Sequence, residues 1–160
     1  MYIYVGKIVN THGIKGEVRI LSDINDKKMV FLPGNHIYIG KEKKRKTIQT
    51  YRVHKQFDMV TFIGIENINE VLLYKGEDIY IKKEEVQING YFDEELIGLE
   101  VYTEKPIGKV IAIRKGYQDL LVIEGKQQYL VPKIDPFIKK VDIPHQKLYI
   151  NSIEGLIDEN

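Results

Sequence analysis

The chain has 160 residues, 43% apolar and 29% charged, with a net charge of +1, which leaves room for one large globular domain or two of about 75 to 85 residues. Twenty-five Ile, 13 Val, 11 Tyr and 5 Phe stand against one alanine, Ala112, and that excess of β-formers excludes an all-α bundle. The absence of Cys excludes disulfides, thiolate metal sites and cysteine nucleophiles. His12, His36, His54 and His145 lack the spacing of a metal site, and no apolar run approaches the roughly 18 to 20 residues of a membrane helix. A cytoplasmic protein without metal, cofactor or membrane contact is expected.

Residues 2–10 and 17–21 read as strands around His12-Gly13-Ile14-Lys15-Gly16. His12, Gly13 and Gly16 are assigned to a structural turn, because glycine tolerates the positive φ of a tight connection. Further strands are predicted at 36–39, 47–53, 59–65 and 78–81, and six short strands indicate a small closed barrel. A helix of two turns is predicted after Asn67. Asn67 would cap it, Ile68, Val71 and Leu72 would share one face, Gly76 would stop it, and the helix could plug one end of the barrel.

In the second half Asp93–Ile97 suits one helical turn ended by Gly98, and strands are predicted at 99–103, 107–114, 119–125, 127–132 and 147–151. Asp135-Pro136 predicts a short helical turn over Phe137 and Ile138. The expected fold class is therefore all-β, two small barrels with few short helices. We expect domains at 1–84 and 91–160 joined by a linker at 85–90. The charge changes sign there: residues 1–84 hold 15 basic and 10 acidic side chains, residues 85–160 hold 9 and 13. A basic half joined to an acidic half suggests two surfaces with different partners.

Catalytic constellations are thin. Ser22 and Ser152 lie in no nucleophile elbow, adjacent carboxylates such as Glu94-Glu95 point apart, and no phosphate-cradling glycine motif occurs. No enzyme is expected. The basic run at 41–46 has two readings, a solvated hairpin tip or a clamp on phosphate oxygens. On the second, Lys43, Lys44, Arg45 and Lys46 are the first candidates for nucleic-acid contact, with Arg52 and Lys55 on the next strand and Lys15 and Arg19 beside the first turn. Tyr91, Phe92, Leu96 and Ile97 form a dense aromatic-aliphatic cluster that either packs a core or anchors a protein partner.

Residues 6–20, GKIVNTHGIKGEVRI, resemble the N-terminal signature of the ribosome maturation factor RimM family, also called 16S rRNA processing proteins. The resemblance continues in order through INEVLLYKGEDIYI, YFDEELIGLEVYT, IGKVIAIRKGYQDLLVIEG, YLVPKIDPFIKKVD and EGLID. The chain departs from the family pattern in having Tyr91-Phe92 for a Tyr-Tyr pair, Gly116-Tyr117-Gln118-Asp119-Leu120 for a Gly-Ala-Asn-Asp-Val turn, and Val71 where Ala is common. The resemblance implies a translation-factor-like N-terminal barrel and a C-terminal PRC barrel. It further implies a monomeric, chaperone-like assembly factor that binds the free 30S subunit and assists head maturation, with 16S rRNA processing an indirect result. The eight basic candidates would then contact 16S rRNA, and the Tyr91 cluster would contact small-subunit head protein nineteen. Two alternatives stay open, a translation-factor-like module on mature ribosomes and a small hydrolase or RNA-modifying enzyme.

Overall fold

Alternation of apolar and polar residues sets the first unit, Met1–Gly90, of a computed structural model that describes residues 1–151. Six strands, β1 (Tyr2–His12), β2 (Glu17–Ser22), β3 (His36–Ile39), β4 (Lys44–His54), β5 (Phe57–Phe62) and β6 (Asp78–Lys82), close in the order β1-β2-β5-β4-β3-β6. Closure leaves no strand edge open to stray pairing. Ile3, Val5 and Ile8 of β1 face inward with Val18, Ile20, Ile48, Phe62, Ile79 and Ile81, and all are buried. Gly16 ends the β1–β2 turn at a φ of 88°. A Cβ there would lie 3.1 Å from both the Asn67 carbonyl and the Ile65 side chain, so glycine is required by conformation and by space.

Two local expectations for this unit need correction, and one element was missed. The segment after Asn67 forms two 3-10 turns, Ile68–Glu70 and Leu72–Tyr74, rather than an α-helix. The Asn67 side chain does accept the Asn69 N–H at 2.8 Å. The tighter winding, however, buries Val71 and Tyr74 and turns Leu72 out to 49% exposure. A short helix, α1 (Lys27–Val30), was not legible in the sequence, yet Val30 and the following Phe31 are fully buried. Phe31 stacks on Tyr51 with ring centroids 5.2 Å apart. Finally, β4 begins at Lys44, so half of the basic run is strand rather than loop.

The second unit begins at Tyr91. It contains α2 (Asp93–Leu96), then β7 (Glu100–Tyr102), β8 (Pro106–Arg114), β9 (Leu120–Gly125), β10 (Gln128–Pro132), β11 (Ile138–Asp142) and β12 (Lys147–Ile150). The strands form one sheet in the order β10-β9-β8-β7-β12-β11, parallel only at β7–β12. Both terminal strands feed the same core: Tyr129 and Val131 of β10, with Ile138 and Val141 of β11, pack with Leu121, Ile123 and Leu148. The sheet therefore wraps around that core. Strand β11 was not anticipated. The turn predicted at Asp135-Pro136 exists, with the Ile138 N–H donating to the Ile134 carbonyl at 3.2 Å, but Ile138 already opens β11. The closing EGLID lies outside the described residues.

Near the end of the first unit, Lys83–Glu85 makes a 3-10 turn and Val86 is buried. Among the described residues no helix is long and apolar enough to cross a membrane.

Candidate binding surfaces

The basic run sits on the β3–β4 hairpin. Gly40 and Lys43 supply the positive φ of its turn, at 74° and 53°, and Lys44, Arg45 and Lys46 pair with Ile39, Tyr38 and Ile37. Pinning these cations to a strand lowers the entropy cost of presenting them together. Lys44 and Arg45 are exposed and, among the described residues, have no carboxylate partner. Lys43 and Lys46 lie instead over tyrosine rings, Lys43 Nζ 4.1 Å from the Tyr80 centroid and Lys46 Nζ 6.0 Å from that of Tyr74.

Arg19 and Arg52 form a second group and are already engaged. Arg52 grips Glu17 with two bonds, Nε to Oε2 at 3.0 Å and Nη2 to Oε1 at 2.7 Å. The hydrogen bond from Arg52 is the main reason that the Glu17 carboxyl sits below its ordinary range. Arg19 Nη2 lies 2.9 Å from His12 Nδ1, and because a guanidinium can only donate, that nitrogen is the acceptor. The His12 ring in turn lies 6.3 Å from His54, so the structure brings together two histidines that are 42 positions apart. Lys15 and Lys55 stand exposed on separate turns, without a charge partner among the described residues. The eight basic candidates thus divide into a hairpin group, an internally bonded arginine pair and two turn lysines. The arginines would have to leave Glu17 and His12 to reach a phosphate.

In the second unit the aromatic-aliphatic cluster splits. Phe92 and Leu96 are buried at 1% and 5% exposure, whereas Tyr91 and Ile97 are 39% and 47% exposed. Glu95, itself buried, accepts the Phe92 N–H at 2.9 Å and fixes the entry to α2. Asp93 at the start of α2 pairs with Lys115 and, at 2.5 Å, with Lys133, and both lysines also reach Asp119. Burial pushes the Asp93 carboxyl up, but the two lysines outweigh it and hold the group below the usual carboxylate range. These pairs tie α2 to the β8–β9 turn, whose tip carries the fully exposed Tyr117. Sequence reasoning missed Tyr117 as a surface candidate, although an aromatic residue directly after Gly116 in a turn was a usable signal.

The fold and its surfaces define a two-unit β protein that displays cations and aromatic rings on strand faces and turns. The RimM N-terminal domain model matches residues 3–86, and the RimM PRC barrel domain model matches residues 93–156. The chain belongs to the RimM family. It is 39% identical to the ribosome maturation factor RimM of Staphylococcus haemolyticus over 99% of this chain and 100% of that protein. Its identity to the Staphylococcus aureus protein of the same name is also 39%, with the same coverage. A crystal structure from Pseudomonas aeruginosa, provisionally named a 16S ribosomal RNA processing protein RimM, is 18% identical with a TM-score of 0.49, covering 95% of this chain and 98% of that one.

Proposed function

We propose that this protein is a non-catalytic ribosome maturation factor of the cytoplasm that binds the free 30S subunit during maturation of its head. The first unit contacts 16S rRNA and the second contacts small-subunit head protein nineteen. The single observation that carries this reading is the pair of cations, Lys44 and Arg45, held on a strand in the basic half of a RimM-family chain with no carboxylate partner among the described residues. Unneutralised cations in fixed positions suit phosphate oxygens, which are read without regard to sequence. The excess of carboxylates in the second half suits a basic ribosomal protein. On that side Tyr91 and Ile97 are the contact residues, while Phe92 and Leu96 support them from the core.

Replacing Lys44 and Arg45 together by Gln tests the RNA contact. Each lost phosphate contact flattens the slope of log K against log salt by roughly 0.7 to 0.9, so binding to 30S particles should weaken and the slope should fall by roughly 1.4 to 1.8. An unchanged slope would make the hairpin a solvated tip and remove the main support for the reading.

A further inference from the structure

The outer face of β1, β3 and β6 carries a feature that the hairpin does not account for. Tyr2 and Tyr4 alternate along β1 with the buried Ile3 and Val5, and Tyr80 and Lys82 alternate along β6 with the buried Ile79 and Ile81. Register then sets Tyr4 opposite Tyr80, Tyr80 opposite Tyr38, and Tyr2 opposite Lys82. Four aromatic rings share one face of three strands. Tyr2 packs edge-on against Tyr38 at 5.4 Å and Tyr80 at 6.4 Å, and Tyr4 packs edge-on against Tyr80 at 5.7 Å.

The rings are not equivalent. Tyr38 is the floor, 4% exposed, with its hydroxyl donating to Glu85 at 2.8 Å. Burial first, then that bond, pushes its phenol up to about 12, so it stays neutral at any working pH. Tyr2 and Tyr4 are 41% and 44% exposed. Two ammonium groups cover what the rings leave open. Lys43 Nζ lies 4.1 Å from the Tyr80 centroid and 5.6 Å from that of Tyr2. Lys82 Nζ lies 5.0 Å from the Tyr38 centroid and 5.7 Å from that of Tyr2. The carboxylates at the margin are spoken for. Asp78 accepts the Tyr4 hydroxyl at 3.4 Å and lies 3.8 Å from Lys7, Glu85 holds Tyr38, and Glu84 pairs with the Met1 amine at 3.2 Å. Lys43 and Lys82 therefore have ring faces, and no carboxylate in ion-pair contact, as their neighbours among the described residues.

We propose that this face binds single-stranded RNA, with bases stacking on Tyr2, Tyr4 and Tyr80 and the backbone phosphates taken by Lys43 and Lys82. The chemistry is an exchange. A lysine held only by a ring quadrupole loses little when it swings to a phosphate, and the vacated ring face is what a base needs. Paired bases present no free face, so a single strand is the ligand that uses both parts of the surface. The proposal rests on the reading of the first unit as an rRNA-binding body, and it adds which surface takes unpaired rRNA.

The test measures anisotropy of a labelled oligouridylate, and of an RNA duplex of equal length, with the full chain and its variants. The unaltered protein should prefer the single strand. Tyr2→Leu with Tyr4→Leu should weaken that binding by about ten-fold or more while duplex binding holds. Tyr2→Phe with Tyr4→Phe, which keeps both rings, should restore it. Lys43→Glu with Lys82→Glu, both surface changes, should abolish binding, and circular dichroism shows whether each variant is folded. Folded leucine and glutamate variants that bind the single strand normally would overturn the proposal, as would an unaltered protein with no affinity for it. In either case the Lys44 and Arg45 salt slope on 30S particles reports separately on the wider reading. A leucine variant that keeps its RNA affinity but loses a ribosomal protein would reassign the face to protein contact and equally overturn it.

Discussion

Phe92→Ala should destabilise the second unit by about 3 to 5 kcal/mol, the cost of removing a buried aromatic side chain. Phe92 is 1% exposed, and its backbone N–H is held by the buried Glu95, so the loss falls where the chain enters α2. A unit of this size has little stability to spare, and such a loss leaves much of it unfolded. Tyr91→Ala, at a ring 39% exposed, should leave melting within about 1 kcal/mol of the parent. If Tyr91 is an interface anchor, the same change should weaken 30S binding by roughly 2 kcal/mol. We also propose that residues 85–90 join two independent domains, in which case Phe92→Ala should leave the melting of the first unit unchanged. Calorimetry on the two variants reads both statements. A folded Phe92→Ala protein with weakened binding would instead make Phe92 the contact residue.

Lys27→Met should destabilise the first unit by stranding the buried Asp58 carboxylate. Asp58 is 1% exposed inside the barrel wall. Lys27 Nζ lies 2.9 Å from its Oδ2, and the Tyr51 hydroxyl donates to its Oδ1 at 2.7 Å. Burial, followed by that bond to Asp58, pushes the Tyr51 phenol well above its ordinary value. Removing one partner of a fully buried pair costs about 3 to 5 kcal/mol, because a charge is left without compensation. The Lys27 side chain is 35% exposed, so water replaces part of what is lost, and about 2 to 3 kcal/mol is expected. Adding Asp58→Asn to Lys27→Met should recover part of the loss, since the charge disappears while an acceptor for Tyr51 remains. Chemical denaturation of the three variants checks this, and equal losses in the single and double variants would mean that the stranded charge is not the cause.

What the sequence disclosed and what it hid follow from the range of the interactions. Strand β1 was legible because Ile3, Val5 and Ile8 sit among exposed polar and aromatic neighbours, and the β1–β2 turn because Gly13 and Gly16 mark it. Helix α1 was not, since its four residues carry no periodicity and Asp26 enters it in the left-handed region at a φ of 58°. Lys27 on Asp58 and Phe31 on Tyr51 help hold it, beside the Asn35 side chain on the Met29 carbonyl, and the first two partners lie more than 15 positions away. In β11 a shift of register between Ile138 and Lys140 breaks the two-residue alternation that would have revealed it. The density of charge at 41–46 suggested loop, whereas backbone pairing with β3 decided for strand.

The candidate surfaces show the same limit. The cations of the hairpin were visible as a run, but the commitment of Arg52 to Glu17 was not, because the partners are 35 positions apart. The Tyr91 cluster was visible as composition, and which members face inward was set by the single turn of α2. The tyrosine face was invisible, because cross-strand register alone joins Tyr2 and Tyr4 to Tyr38 and Tyr80.

Sedimentation of a cell extract containing the tagged protein shows which ribosomal particle the protein binds. A factor that binds the maturing small subunit should travel with free 30S particles, and the Lys44→Gln, Arg45→Gln variant should shift toward the top of the gradient as salt rises. Co-sedimentation with 70S ribosomes and polysomes, in place of free 30S particles, would rule out binding to the maturing small subunit and favour a factor acting on mature ribosomes.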